Sequence, residues 1–315
     1  MKNFEEIYKE LETENIDELE KYVKTSQSQR KKIRKKSKYI CIVADVVILI
    51  FFVYWIKMGQ PCEIIIAAIL GILVLDIFIF ICTEIFSVNI KSYNKYNLEY
   101  KNTIISKIIS NFYSNLLYIP EKSMPEEIYR QVEERLYDEY ASQDYFEAIL
   151  DGKYPIQMAE ILSQKENDDE DSNFKYTTVF DGILTKIVMR TSINWEIKIL
   201  CDGSLYLGDK LKMDSEEFEK KFDVKASTPI LGMQLLTADV MLQLIRLKDD
   251  FKVPFDIYIK NNDIYIKFYT GNMFELNIVK QNLLDEQAIR KCYDTLNLTY
   301  SLSSKLISAI ENSCV

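Results

Sequence analysis

Asp45 and Asp76 are the residues whose placement most asks for a chemical explanation. Asp45 interrupts "YICIVADVVILIFFVYWI" (Tyr39–Ile56). Asp76 interrupts "IIIAAILGILVLDIFIFICTEIFSV" (Ile64–Val88), which also carries Glu84. Inserting an aspartate near the centre of a membrane helix costs ~2.5–3.5 kcal/mol, so something must offset it. If the two runs pair as an antiparallel hairpin, the two acids sit at similar depth. Three readings are open. Protonated aspartates hydrogen-bond neighbouring helices, contributing ~0.6–2 kcal/mol. An oligomer uses them as an ion or proton path. Or they are tolerated, Asp45 with help from water about two turns inside its helix end. A single hairpin cannot line a pore, which favours assembly or tolerance over conduction.

Elsewhere the chemistry thins out. The 315 residues include no histidine, which excludes Ser-His-Asp and Cys-His catalysis and imidazole metal sites. The six cysteines (Cys41, Cys62, Cys82, Cys201, Cys292 and Cys314) form no CxxC pair, so neither a zinc site nor a disulfide framework is expected. Free thiols in a reducing compartment fit that spacing. None of the eight glycines falls in a phosphate-loop pattern, and GxSxG is absent. The acidic stretch "ENDDEDS" (Glu166–Ser172) lacks the spaced ligands and glycine of a calcium loop and reads as a solvated linker. No catalytic, cofactor-binding or metal-ligating residue stands out. The chain is therefore expected to be a non-enzymatic module without a cofactor.

The elements that would position the two acids are clearer. Tyr39–Ile56 is eighteen residues long, ~27 Å as a helix, close to the hydrocarbon thickness of a bilayer. Only "KMGQPCE", with Gly59 and Pro61, separates it from the second run. Seven cations precede the first run: Arg30, Lys31, Lys32, Arg34, Lys35, Lys36 and Lys38. Lys91, Lys95 and Lys101 follow the second, and the loop carries Lys57 alone. The positive-inside rule then predicts a two-span protein of the cell membrane with both termini in the cytoplasm. The basic cluster would also grip anionic lipid headgroups, at ~1 kcal/mol per cation. Net charge is −9, and the cations gather beside the apolar run, which argues against a nucleic-acid partner.

Four regions follow: 1–38, an amphipathic helix with the basic cluster; 39–88, the membrane hairpin; 89–141, a helical neck; and 142–315, a cytosolic domain. In the first, Phe4, Ile7, Tyr8 and Leu11 share a helix face that Ile16, Leu19 and Val23 resume after a slip. The neck is expected as two helices, Tyr100–Tyr118 and Met124–Ala141. Beyond it, Phe174–Arg190 and Trp195–Gly203 read as strands, Ser215–Phe222 as a short helix and "DVKAS" as a strand. Thr237 opens a helix with Val240, Leu244 and Leu247 inward. Phe255–Tyr269 reads as a hairpin turning at Asn261 and Asn262, "MFELNI" as a further strand, and Leu284–Ile310 as helix. Strands and helices without βαβ alternation predict an α+β fold with a mostly antiparallel sheet.

Several stretches, "DYFEAILDGKYP" (Asp144–Pro155), "FDGILTKI" (Phe180–Ile187), "KMDSEEFEKKFDVKAS" (Lys212–Ser227) and "ILGMQLLTADVMLQL" (Ile230–Leu244), occur in an order that resembles the bacterial DUF3137 family of membrane-anchored proteins. The resemblance implies a shared fold and location and carries over no catalytic residue. The expected role is a cytoplasm-facing, membrane-anchored module that binds a protein partner or itself. A membrane-tethered small-molecule sensor and an oligomeric ion or proton path through Asp45 and Asp76 are the alternatives.

Overall fold

The structure is a computed structural model that describes residues 1–14, 16–57, 90–167, 175–193, 195–201, 210–275 and 282–313. The chain divides into two compact units. The first comprises Met1–Thr13, Lys101–Glu275 and Asp285–Val315; the second comprises Glu14–Tyr100 and Leu276–Leu284.

Among the described residues the first unit is built on one eight-stranded sheet, in the order β1-β2-β3-β4-β8-β7-β5-β6 with every pairing antiparallel. The strands are β1 (Ser114–Ile119), β2 (Glu139–Leu150), β3 (Tyr154–Glu166), β4 (Tyr176–Val188), β5 (Ile197–Cys201), β6 (Phe222–Ala226), β7 (Phe255–Lys260) and β8 (Asp263–Phe268). The expected α+β class with an antiparallel sheet is what the chain adopts. Two tight turns fix its register. Asp151-Gly152-Lys153 joins β2 to β3, with Asp151 and Gly152 at positive φ. Asn261-Asn262 joins β7 to β8 with both residues at positive φ, as a two-residue hairpin of this hand requires.

Successive strand residues point to opposite faces. On one face Ala159, Ile161, Phe180, Leu184, Tyr258 and Tyr265 pack with Tyr129 and Val132, which close over them. From alternate positions, Phe222, Phe255 and Phe268 form an aromatic row continued by Phe218. The helices of this unit are α1 (Phe4–Glu12), a π-helical turn (Lys101–Ile105) leading into α4 (Ser106–Phe112), α5 (Glu126–Tyr129), α6 (Glu216–Glu219), α7 (Pro229–Leu235), α8 (Ala238–Phe251) and α9 (Glu286–Ser313). Asn3 caps α1 through a capping box with Glu6, and Phe4, Ile7 and Leu11 are buried. Long α9 packs against α8, α4, α7 and α1.

The neck departs from expectation. Helix stops at Phe112, and Ser114–Ile119 is an edge strand paired with β2. Met124–Ala141 forms a single helical turn, and by Glu139 the chain is already in β2. Its helix-like spacing of apolar residues is overridden by burial: Tyr129 and Val132 fill the sheet face rather than one stripe of a helix. Of "MFELNI", Met273–Glu275 is not strand, and the remainder lies outside the described residues.

The second unit contains α2 (Asp17–Lys57), 41 residues long, and α3 (Ile90–Tyr100). Tyr22 of α2 stacks on Tyr96 of α3 with centroids 3.8 Å apart. The slip in the N-terminal pattern falls at Thr13–Ile16, where the chain passes from one unit to the other. Further along α2, Tyr39, Ile42, Val43, Val46 and Ile50 are all exposed. Their spacing places them on one side of the helix. Among the described residues no single helix is long and apolar enough to cross a membrane. The run 64–88 lies outside those residues, and much of 40–57 is described as backbone only. The bent pair α7–α8 has span-like length and composition, but Leu235, Leu236, Met241, Leu244 and Ile245 are buried, which makes it a core element of the first unit.

Candidate functional site

Three irregularities in the backbone converge on one buried polar network. The π-helical turn begins at Lys101; such insertions re-aim side chains and recur at functional positions. In β2, the register shifts between Gln143 and Phe146, and Asp144 takes φ +55. After β8, Gly271 at φ +65 turns the chain toward Glu275. Lys101 Nζ donates to Asp144 Oδ2 at 2.7 Å and to Glu275 Oε1. The Tyr118 hydroxyl donates to Asp144 Oδ1. Gln143 Nε2 lies 3.3 Å from both Glu160 Oε2 and Glu275 Oε1. Lys101, Asp144 and Glu160 are buried.

Burial works against the Lys101 ammonium, but Asp144 and Glu275 outweigh it and hold its pKa above the ordinary lysine value. Burial, then the Asp144 charge, pushes the Glu160 carboxyl up to about 7, against hydrogen bonds from the backbone of Met273 and Phe274 and from Gln143. Burial also pushes the neighbouring Cys292 thiol up, away from the reactive thiolate form. A cavity of about 260 Å³ beside this network has Gln143, Glu160, Asp181 and Asn272 among its lining residues. The site can hold and release a proton. Among the described residues no cluster of three or more Asp, Glu, Cys or His side chains could hold a metal ion.

A second buried network lies under Tyr129. Glu133 accepts from Lys267 Nζ at 2.6 Å and from Arg135 through Nε at 2.8 Å and a terminal nitrogen at 2.9 Å. Burial disfavours the Glu133 carboxylate, yet Arg135 and Lys267 hold its pKa down to about 2. The Tyr129 hydroxyl bonds Ser163 at 2.6 Å and donates to Glu133 at 3.0 Å. On the same sheet face Asp256 accepts from Tyr269 and from the Cys201 backbone. Glu133, Lys267 and Tyr129 are buried in this network, and Arg135 reaches it from a partly exposed position.

Of the residues singled out in the sequence, the basic cluster lies on α2, and Lys31, Lys32, Arg34, Lys35, Lys36 and Lys38 are exposed; for Arg30 only the helical backbone is described. Asp45 lies on α2 with its side chain undescribed, and Asp76, with the pairing expected of it, lies outside the described residues. Lys101, counted among the cations flanking the second run, is buried and committed to Asp144. The acidic stretch lies largely outside the described residues. Sequence reading does not find Asp144, Glu160, Glu133 or Lys267. The Asp151-Gly152 pair between two alternating apolar runs is the signal that exposes the β2–β3 hairpin carrying the first two.

An α+β unit on an antiparallel sheet that buries two networks of ionisable groups is the class these features define. Residues 178–307, from β4 into α9, match the family described as protein of unknown function (DUF3137), and over those residues the family resemblance read from the sequence stands. No curated protein matches the chain. Among solved structures, the crystal structure of the mycobacterial trehalose monomycolate transport factor A, TtfA, is similar over 64% of this chain and 94% of that one, at 8% identity and a TM-score of 0.32.

Proposed function

We propose that the protein is a membrane-anchored interaction module whose folded unit faces the cytoplasm and carries no enzymatic activity. The observation behind this reading is that the described side chains of this part of α2, Tyr39, Ile42, Val43, Val46 and Ile50, are all exposed, directly after the exposed lysines of the basic cluster on the same helix. Apolar side chains left in water along one helix are costly, roughly 25 cal/mol per Å² relative to an apolar contact. A lipid phase removes that cost and sets the cations at headgroup level. The same logic extends to the run Ile64–Val88 as the second span, with both termini inside. The non-enzymatic reading is supported by Lys101 and Lys267, each bonded to carboxylates within its own network. Asp45 and Asp76 then serve helix association before any conduction.

Membrane pellets of the host washed with alkaline carbonate test the anchor. Retention of the full chain in the pellet is expected; release into the wash would refute it. A sensor role is a second reading, favoured by a groove of about 660 Å³ whose walls mix polar side chains such as Asp239, Gln243 and Ser304 with apolar ones such as Leu235 and Val240. A thermal-shift screen of polar metabolites against the detergent-solubilised chain tests it, and the absence of any stabilised state counts against it.

A further inference from the structure

Glu160 holds a short segment of chain in place. Its Oε1 accepts the backbone N–H of Met273 at 2.6 Å and of Phe274 at 2.9 Å, while its Oε2 accepts from Gln143. All three donors are neutral. The ammonium of the network, on Lys101, is bonded to Asp144 and Glu275 instead. A charge on Glu160 therefore stands beside the Asp144 carboxylate without a bonded counter-ion, in a place burial has stripped of water, which is where ionisation is most costly.

The held segment, here termed the flap (Met273–Glu275), follows the sheet as a short irregular stretch whose Phe274 side chain is fully buried. β8 ends at Phe268, Gly271 turns at positive φ with its N–H on the Asp181 carbonyl, and Met273 and Phe274 dock on Glu160. A cavity with Gln143, Glu160, Asp181 and Asn272 among its lining residues adjoins the carboxyl. The titratable and charged groups around Glu160 are Asp144 from β2, Tyr118 from β1, Lys101 from the π turn, Glu275 from the flap, Asp181 across the cavity and Cys292 from α9.

We propose that Glu160 is a proton-operated latch on Met273–Glu275: the flap stays docked while the carboxyl holds its proton and opens more often once the carboxyl ionises beside Asp144. The direction follows from linkage. Docked, the carboxyl titrates at about 7; undocked and hydrated, it returns toward the ordinary value of 4.5. Opening is thus favoured progressively as pH rises between those values and levels off above the higher one.

The test is amide hydrogen exchange of the segment containing Met273–Glu275 in the full detergent-solubilised chain, at pH 6 and pH 8. Conditions are chosen so that exchange follows the opening equilibrium, with intrinsic rates divided out. The opening constant is expected to rise roughly tenfold over that interval. Glu160→Gln keeps the acceptor oxygen and cannot ionise, so its opening constant is expected to stay level. A level wild-type profile, or an equal rise in Glu160→Gln, overturns the latch. Should that variant fail to fold, carbon-detected titration of the Glu160 carboxyl in the wild-type chain decides: a midpoint near 7 upholds the proposal and an ordinary glutamate midpoint overturns it.

Discussion

Lys267 Nζ lies 2.6 Å from Glu133 Oε2, and neither side chain reaches solvent. The ammonium is also ringed by Phe180, Tyr129 and Tyr269, with centroids 4.7, 5.7 and 5.7 Å away. The cage and the carboxylate offset part of the water that Lys267 lost, and burial still holds its pKa below the ordinary lysine value. Glu133→Gln removes the counter-charge and is expected to destabilise the fold by about 3–5 kcal/mol. Lys267→Met in the same chain is expected to recover much of that loss, because the buried charge goes too. Urea unfolding of the detergent-solubilised single and double variants measures both.

Two glutamates shape the pH profile in opposite senses. Glu133 titrates at about 2 when folded against an ordinary value of 4.5. Its contribution is complete above the ordinary value and is lost as pH falls toward the folded one. Glu160 is raised to about 7, so its contribution is complete below 4.5 and is lost as pH rises through the folded value. Thermal unfolding across pH is expected to show Glu160→Gln flattening the limb between pH 4.5 and 7. Glu133→Gln is expected to flatten the acid limb.

Gly182 sits in β4 against β8. A Cβ there would fall 1.9 Å from the Phe268 carbonyl oxygen and 2.9 Å from the Thr270 nitrogen. Backbone has to move to admit it, and this is the central strand pairing of the sheet. Gly182→Ala is expected to cost ~3 kcal/mol or more, read as a fall in the thermal midpoint.

Asn261 and Asn262 both take positive φ in the β7–β8 turn, but Asn262 Oδ1 also accepts the Ile193 N–H at 2.6 Å. Asn261→Ala is expected to cost ~1–2 kcal/mol for the left-handed backbone. Asn262→Ala should cost ~1 kcal/mol more for the lost hydrogen bond. Equal losses in chemical unfolding would contradict the assigned contact.

That hairpin shows what a sequence of this kind makes legible. Its turn residues and its alternation are local, as are the Thr237 cap of α8 and the Ser215 cap of α6, so each can be read from a few neighbours. The buried networks are not local. Lys101 and Asp144 are 43 positions apart, Lys267 and Glu133 are 134 apart, and no spacing rule connects them. A lysine in an apolar strand such as "DIYIKF" reads as solvent-facing until its partner is known. Met124–Ala141 misleads for the reverse reason: its pattern suits a helix, and tertiary burial of Tyr129 and Val132 decides otherwise.

Cys62, in the sequence between the two apolar runs, allows a direct measurement of the anchor and its direction. A chain whose other cysteines are replaced by serine is exposed in intact cells to a membrane-impermeant maleimide. Labelling of Cys62 from outside is predicted, with a cysteine introduced at Ser26 labelled only after the cells are permeabilised. If Cys62 is also reached only after permeabilisation, the loop does not cross the membrane and the two-span anchor is wrong.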